Sequence, residues 1–489
     1  MLRKIRITLA TVMMIGITWL FLDFTGTAHR LVGGLAKLQF LEAVLALNFI
    51  VIAFLLVLTV ACGRIYCSII CPLGIMQDIF GWVGKKAKKN RYTYSKAISW
   101  LRYGVLAIFI VALVAGVGTI VQLLVPYSAF GRIATNLLQP VYQAVNNVLA
   151  SIAEHYDSYA FYQSEIWLRS VVSFIIAGVT LVTLGVLAWR NGRTYCNTIC
   201  PVGTVLSFFS RFSFLKIHFD VEKCKNCSLC TKNCKASCID YKTHTVDASR
   251  CVVCGDCISV CKHGALKYSM KAGDAGNSAT DPSKRSFLLA STLLATSALA
   301  QQKDKMMDGG LAEIQDKVAP ARQTPLTPPG SLSAQNMALR CTGCQLCISE
   351  CPNQVLRPSD DLMHLMQPVM SYERGYCRPE CNRCSEVCPA GAIKPIRHED
   401  KASTQIGHAV WIKKNCIPLT DGVECGNCAR HCPVGAIEMV PSDPDDDESP
   451  YVPAVNEARC IGCGACENLC PARPFSAIYV EGHEVHKEI

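Results

Sequence analysis

No histidine falls within any long apolar stretch of this 489-residue chain, and no Cys-x-x-Cys-His occurs anywhere in it. The first absence excludes bis-histidine haem within those stretches, and the second excludes covalent c-type haem. A nucleotide-binding glycine fingerprint is missing too, as is a local nucleophile–base pair. A complete catalytic reductase is therefore not expected, and any substrate-reducing chemistry belongs to a partner. Charge is also scarce, at 18% of residues, which leaves room for segments that water does not solvate.

Four apolar stretches stand out: Ile7–Leu22, Ala43–Gly63, Tyr103–Gly131 and Ser170–Trp189. A span needs about 20 apolar residues, so the last three read as transmembrane helices, and the first qualifies with its flanks. A weaker stretch, Ser286–Gln302, is a candidate short fifth helix. The formal net charge of +10 is a topology signal and not a nucleic-acid footprint. Arg3, Lys4 and Arg6 precede the first stretch, and Arg64, Lys85, Lys86, Lys88, Lys89, Arg91, Lys96 and Arg102 lie between the second and third. The 126–166 segment holds Arg132 as its one interior basic residue. Positive loops stay in the cytoplasm, which puts the N-terminus inside and the 126–166 segment outside. Apolar residues at helical spacing within it (Ile133, Leu137, Val141, Val145, Val148, Ile152) predict an amphipathic helix at the outer interface.

Cysteine is the abundant residue. Twenty-four of thirty fall into six quartets: Cys224/227/230/234, Cys251/254/257/261, Cys341/344/347/351, Cys377/381/384/388, Cys416/425/428/432 and Cys460/463/466/470. Repetition of Cys-x-x-Cys-x-x-Cys-x-x-x-Cys is 4Fe–4S spacing: three thiolates surround one cluster and the fourth reaches a neighbour. Disulfide frameworks belong to short secreted domains and do not repeat this pattern. Six clusters are expected, and the chain moves electrons. By cross-ligation, Cys224, Cys227 and Cys230 go with Cys261, and Cys251, Cys254 and Cys257 go with Cys234. Lys235 and Lys262 follow the fourth cysteines here, where the last four quartets have Pro352, Pro389, Pro433 and Pro471. Cys62 and Cys238 receive no role.

The second and fourth apolar stretches end in near-identical segments, Gly63–Gly74 and Gly192–Gly203, with the pattern G-R-x-Y-C-x-x-I-C-P-x-G. The bundle thus reads as two parallel two-helix repeats. Cys67, Cys71, Cys196 and Cys200 are expected to converge near the axis relating them. Such a site would hold a further metal centre or redox-active disulfides; the plain alternative is packing as small hydrophobes.

The organisation that follows is a membrane core (1–216), a cytoplasmic two-cluster ferredoxin (217–270), a linker (271–335) and a four-cluster ferredoxin (336–489). The linker carries Ser283–Leu289 and an apolar run ending Ala298-Leu299-Ala300, which has the parts of an export signal. That sends the four-cluster part to the periplasm, whether or not the chain is cut after Ala300. The fold class is a membrane α-helical bundle of four transmembrane helices plus the candidate fifth, with two α+β ferredoxin-like modules.

The repeated motifs, the signal, the Pro328-Pro329-Gly330 lead-in and the quartet spacings together resemble the NapH/NapG family of ferredoxin-type quinol dehydrogenase subunits. Residues 1–270 are similar to the membrane partner and 283–480 to the periplasmic one, fused in one polypeptide. The resemblance implies oxidation of quinol, (mena)quinol in particular, from the membrane pool. Electrons would then pass to a periplasmic reductase or cytochrome. It also implies that the regular outer quartets share ligands (Cys351 with Cys470) and the stretched ones likewise (Cys388 with Cys432); spacing alone leaves sequential pairing open. Two other functions use the same features. One is a metal-handling assembly factor working through the four core cysteines, and the other is a polyferredoxin wholly on the cytoplasmic side.

Overall fold

The computed structural model describes residues 2–87, 92–158, 161–270, 315–446 and 448–489. The export-signal and fifth-helix segment, 283–302, lies outside the described residues. Among those described, two helices are long and apolar enough to cross a membrane: α1 (Leu2–Leu22) and, later in the chain, Val171–Asn191. Each is 21 residues, about 30 Å of helix.

The other two expected spans are shorter, and the reason is local. The Ala43–Gly63 stretch divides into α2 (Phe40–Leu45) and α3 (Phe49–Cys62), with Asn48 capping α3 by accepting from the Val51 amide. The Tyr103–Gly131 stretch breaks after α5 (Ser99–Val114), where Gly116 turns the chain, and again at Pro126, which starts α6 (Pro126–Ile133). Between these lies α4 (Pro72–Lys86). A π turn over Ala134–Leu138 carries α6 into α7 (Gln139–His155), and α8 (Val171–Asn191) and α9 (Pro201–Ser210) complete the core.

Helix α6 is buried along its whole length and packs on α4 and α8. The 126–166 segment is therefore not one outer loop: its first third turns back into the bundle, and Arg132 there is fully buried. Irregular backbone of this kind survives at membrane depth only when protein surrounds it. The row predicted to be amphipathic is real further on, where Val141, Val145, Val148 and Ile152 are exposed on α7. Large apolar side chains are likewise exposed along α1, α3, α5 and α8, including Val12, Ile50, Val111 and Val182.

The two cysteine-rich blocks contact opposite ends of the bundle. At one end, Arg3 pairs with Asp256 at 3.0 Å, the Tyr268 hydroxyl donates to the Cys62 carbonyl, and Arg64 donates to the Ser249 carbonyl. At the other end, Ser128 donates to the Thr342 carbonyl, Arg340 to the Leu45 carbonyl, and Gln345 to the Ser173 hydroxyl. Both blocks are built on small antiparallel ribbons. Strands β1 (Leu215–Phe219) and β2 (Leu266–Met270) close the first block. In the second, β3 (Thr404–Trp411) pairs with a long final strand, Ile478–Glu488, and Ile437–Pro441 pairs with Tyr451–Val455.

Candidate functional site

The repeated motif forms a two-fold cross-brace. Arg64 of the first copy donates to the Cys196 carbonyl at 3.1 Å, and Arg193 of the second donates to the Cys67 carbonyl. Gly74 and Gly203 sit against those same carbonyls, where any side chain would collide, and this explains the motif's last residue. Its first residue is explained at Gly192, which is left-handed and lies against the Lys235 carbonyl. Tyr66 and Tyr195 also act as a pair. The Tyr66 hydroxyl accepts from the Phe40 amide and donates to Gln39, and Tyr195 donates to the Leu124 carbonyl. Each tyrosine thus holds the start of a buried half-helix, α2 in one repeat and α6 in the other.

Between the braces, Cys67, Cys71, Cys196 and Cys200 converge, each no more than 4% exposed and near enough to its partners to feel their charge. Gln77 donates to Cys196 Sγ at 3.3 Å and the Gly203 amide to Cys200 Sγ at 3.3 Å. None of the four is joined in a disulfide. Among the described residues no three His, Cys, Asp or Glu side chains are spaced to hold a single ion. A cubane cluster keeps its four sulfurs further apart than one ion does, so this spacing does not weigh against a multi-iron centre.

The inner block groups its thiols as cross-ligation requires. Cys224, Cys227, Cys230 and Cys261 line one small cavity, while Cys234 lies with Cys251, Cys254 and Cys257. Cys238 is buried with its sulfur 3.6 Å from that of Cys234 and close to Cys251. Nothing in the quartet spacing marks it. Lys235 is buried and paired with Asp78 at 2.8 Å and Asp256 at 3.3 Å, and its charge also reaches Cys254. Asp78 also binds Arg6 and Arg193. Burial alone would raise the Asp78 pKa, but Arg193, Lys235 and Arg6 outweigh it and hold the carboxyl well below the usual range. This network ties the four-cysteine brace to the inner block.

In the outer block the grouping departs from the expectation drawn from the family. Cys388 joins Cys341, Cys344 and Cys347, and Cys351 joins Cys377, Cys381 and Cys384. Likewise Cys470 lines a cavity with Cys416, Cys425 and Cys428, while Cys432 lies with Cys460, Cys463 and Cys466. Neighbouring quartets in sequence exchange fourth cysteines, because the helix Leu346–Ser349 packs on Arg383–Val387, and Asn427–Arg430 on Ala465–Leu469.

These sets fit clusters. In the four regular quartets the residues flanking the second cysteine are left-handed: Asn226 and Ser228, Val253 and Gly255, Gly343 and Gln345, Gly462 and Gly464. The stretched quartets lack this at Asn382 and Gly426. Amides beyond the fourth cysteine donate to its sulfur at Cys261, Cys388, Cys432 and Cys470, over 3.2–3.5 Å. Burial pushes the Cys341 and Cys463 thiols up to about 12, so bound iron is what would hold such sulfurs as thiolates.

The first outer set sits on the seam between the repeats. Thr342 meets Glu42 from α2 through its side chain and Ser128 from α6 through its carbonyl. Gly131 lies against the Cys344 carbonyl and Gln122 against Gly343. The half-helices that the motif tyrosines hold are thus the ones that seat Cys341–Cys347.

Comparison with known sequences finds iron–sulfur profiles on both the core and the cysteine-rich blocks. A profile described as a 4Fe–4S binding domain matches residues 44–91 and again 171–220, which are the two copies of the core motif. Two 4Fe–4S dicluster profiles match residues 247–355 and 423–473. The methylamine utilization ferredoxin-type protein MauM of Methylobacillus flagellatus is 30% identical over 167 residues, 33% of this chain and 70% of that protein. The ferredoxin-type proteins NapF and NapG of Escherichia coli are each 29% identical, over 162 and 176 residues. Those matches cover 32% and 33% of this chain, and 87% and 75% of NapF and NapG respectively.

Proposed function

The chain belongs to the NapG/NapH-type ferredoxin family of iron–sulfur electron-transfer proteins, and from that premise we propose that it oxidises membrane quinol and passes the electrons outward through its four-cluster block to a periplasmic reductase or cytochrome. The reading takes the bundle as a four-helix membrane core, α3 and α5 completing their spans with flanking residues. The N-terminus and residues 217–270 lie in the cytoplasm, and residues 336–489 outside. Six 4Fe–4S clusters, held by the sets described above, supply one-electron carriers when bound.

The supporting observation is the seat of Cys341–Cys347 on the two half-helices that descend to the four core cysteines. A membrane's hydrocarbon core is about 30 Å thick, too wide for a hop between two blocks on its faces. The buried half-helices shorten that gap from the outer side, and the Arg193–Asp78–Lys235 network does so from the inner side. Cys67, Cys71, Cys196 and Cys200 would be the centre between them. The chain's own contribution is to exclude water and to fix these sulfur positions.

Anaerobic mixing of the purified full chain with menadiol tests the reading. Reduction of the cluster signals, seen by bleaching and paramagnetic resonance, is the expected result. Clusters that dithionite reduces and menadiol does not would refute it. Iron content adds a count, about 24 per chain for six clusters and about 28 with a seventh in the core.

A further inference from the structure

A cavity of about 490 Å³ opens between the segment that follows α1 and the outer block. The cavities beside the Cys224 and Cys416 sets hold only about 20 and 30 Å³. Its volume lies in the range that small-molecule sites occupy. Four observations define what would fit it.

The first is electronic: Cys381, of the second outer set, is part of the wall. The second is polar. Glu350 is 2% exposed, and one oxygen of its carboxyl is buried without a hydrogen-bond partner among the described residues. His29 also lines the cavity, and its Nδ1 is likewise buried and unpartnered among them. Burial, with the Lys37 charge, holds the imidazole below its usual pKa, so it is neutral and can accept. Arg30 and Arg383 supply donors on the same walls. The third is position. Residues 25–30 come directly after α1, one of the two helices apolar and long enough to span. Phe24 there packs on Tyr142 and Tyr162, with ring centroids 6.2 and 5.3 Å apart, and aromatic rings gather at membrane interfaces. The fourth is an apolar route, since Leu31 next to Arg30 is 73% exposed, and Ile15 and Trp19 are exposed along α1.

We infer that this cavity binds the headgroup of the quinol, its tail lying along the exposed face of α1. The inference rests on the function proposed above and names the site that function requires. A quinol brings two hydroxyl donors, matched by Glu350 and His29; the quinone product brings two carbonyl acceptors, matched by Arg30 and Arg383. Oxidation breaks the two O–H bonds. Two protons leave through the open mouth to water, and two electrons pass one at a time to the oxidised iron–sulfur clusters of the outer block.

The test uses the full chain with its clusters and heptyl-hydroxyquinoline N-oxide, a fluorescent quinol analogue quenched on binding. Asn353→Trp would fill the cavity and His29→Leu would remove an acceptor. Each should weaken the quenching titration by about tenfold or more, with iron content and dithionite-reduced spectra unchanged. Wild-type affinity in Asn353→Trp with its clusters intact would overturn the inference. Photolabelling of the wild-type chain with an azido-quinone gives an answer independent of the variants. Labels within Thr25–Arg30 or Glu350–Asn353 support the site, and labels confined elsewhere overturn it. If menadiol still reduces the chain in that last case, only the cavity is lost. If menadiol fails where dithionite succeeds, the premise falls with it.

Discussion

The two cysteine-rich blocks attach to the same bundle differently at the quartets nearest to it. The inner block is held by charge: Lys235 and Asp256 join Asp78, Arg6, Arg193 and Arg3 in one connected network. The outer block is held at its first quartet by neutral contacts, Ser128 to Thr342, Asn136 to Gln345 and Gln345 to Ser173. The difference explains part of a sequence contrast. The outer quartets end in Cys-Pro, while at the first inner quartet Lys235 follows Cys234 and has a buried carboxylate to reach; the exposed Lys262 after Cys261 is not explained this way. A partly buried charge network is specific and intolerant of losing one member; a neutral seam can lose contacts one at a time.

The largest effect should come from Asp78→Asn. It leaves the buried Arg6 and Arg193 without their counter-charge and Lys235 with Asp256 alone, at a cost of about 3–5 kcal/mol. Limited proteolysis should then release the inner block while the outer clusters keep their spectra. The same network sets an acid limit. The folded pKa of Asp78 is depressed, so its stabilisation is complete above the unfolded value near 4 and is lost as the pH falls below it. Detachment of the inner block below about pH 4, ahead of the outer one, would show this.

Next in size is a test of ligand exchange. Cys351→Ala and Cys377→Ala serve one cluster in this arrangement, so combining them should cost about four irons, no more than either alone. Loss of about eight would put the two on different clusters, as the pairing of Cys351 with Cys470 requires. In the core, Cys67→Ser with Cys196→Ser should remove any iron beyond six clusters and slow electron exchange between the blocks, with both sets of cluster spectra retained. The smallest effects belong to the neutral seam. Ser128→Ala and Tyr195→Phe each delete one hydrogen bond and should cost about 0.5–1.5 kcal/mol, read as a lower melting temperature of the outer block.

What the sequence made legible follows the range of the interactions. The thiol quartets could be read because three ligands of each cluster are local, and the left-handed residues beside the second cysteine are set by that short spacing. The inner exchange of Cys234 and Cys261 followed for the same reason, since only two quartets were available to share. With four quartets the exchange depends on which helices pack together, and spacing does not carry that. Hydropathy merged α5 with the half-helix α6, because Gly116 and Pro126 are slight punctuation inside one apolar run. Arg132 therefore read as a loop residue and is in fact buried. The repeat was plain in the motif, but its reach to Gln39 and Leu124 shows only in the folded chain. Cys238 had no signal beyond being an odd cysteine near a quartet.

The central claim is that the two blocks face opposite sides of a membrane, with electrons leaving through the outer one. An epitope placed after Ile489, probed by protease in intact spheroplasts, tests this most directly. The account predicts cleavage without lysis, while a tag before Leu2 stays protected. A C-terminal epitope cut only after lysis would contradict it and leave a membrane-anchored polyferredoxin on the cytoplasmic side.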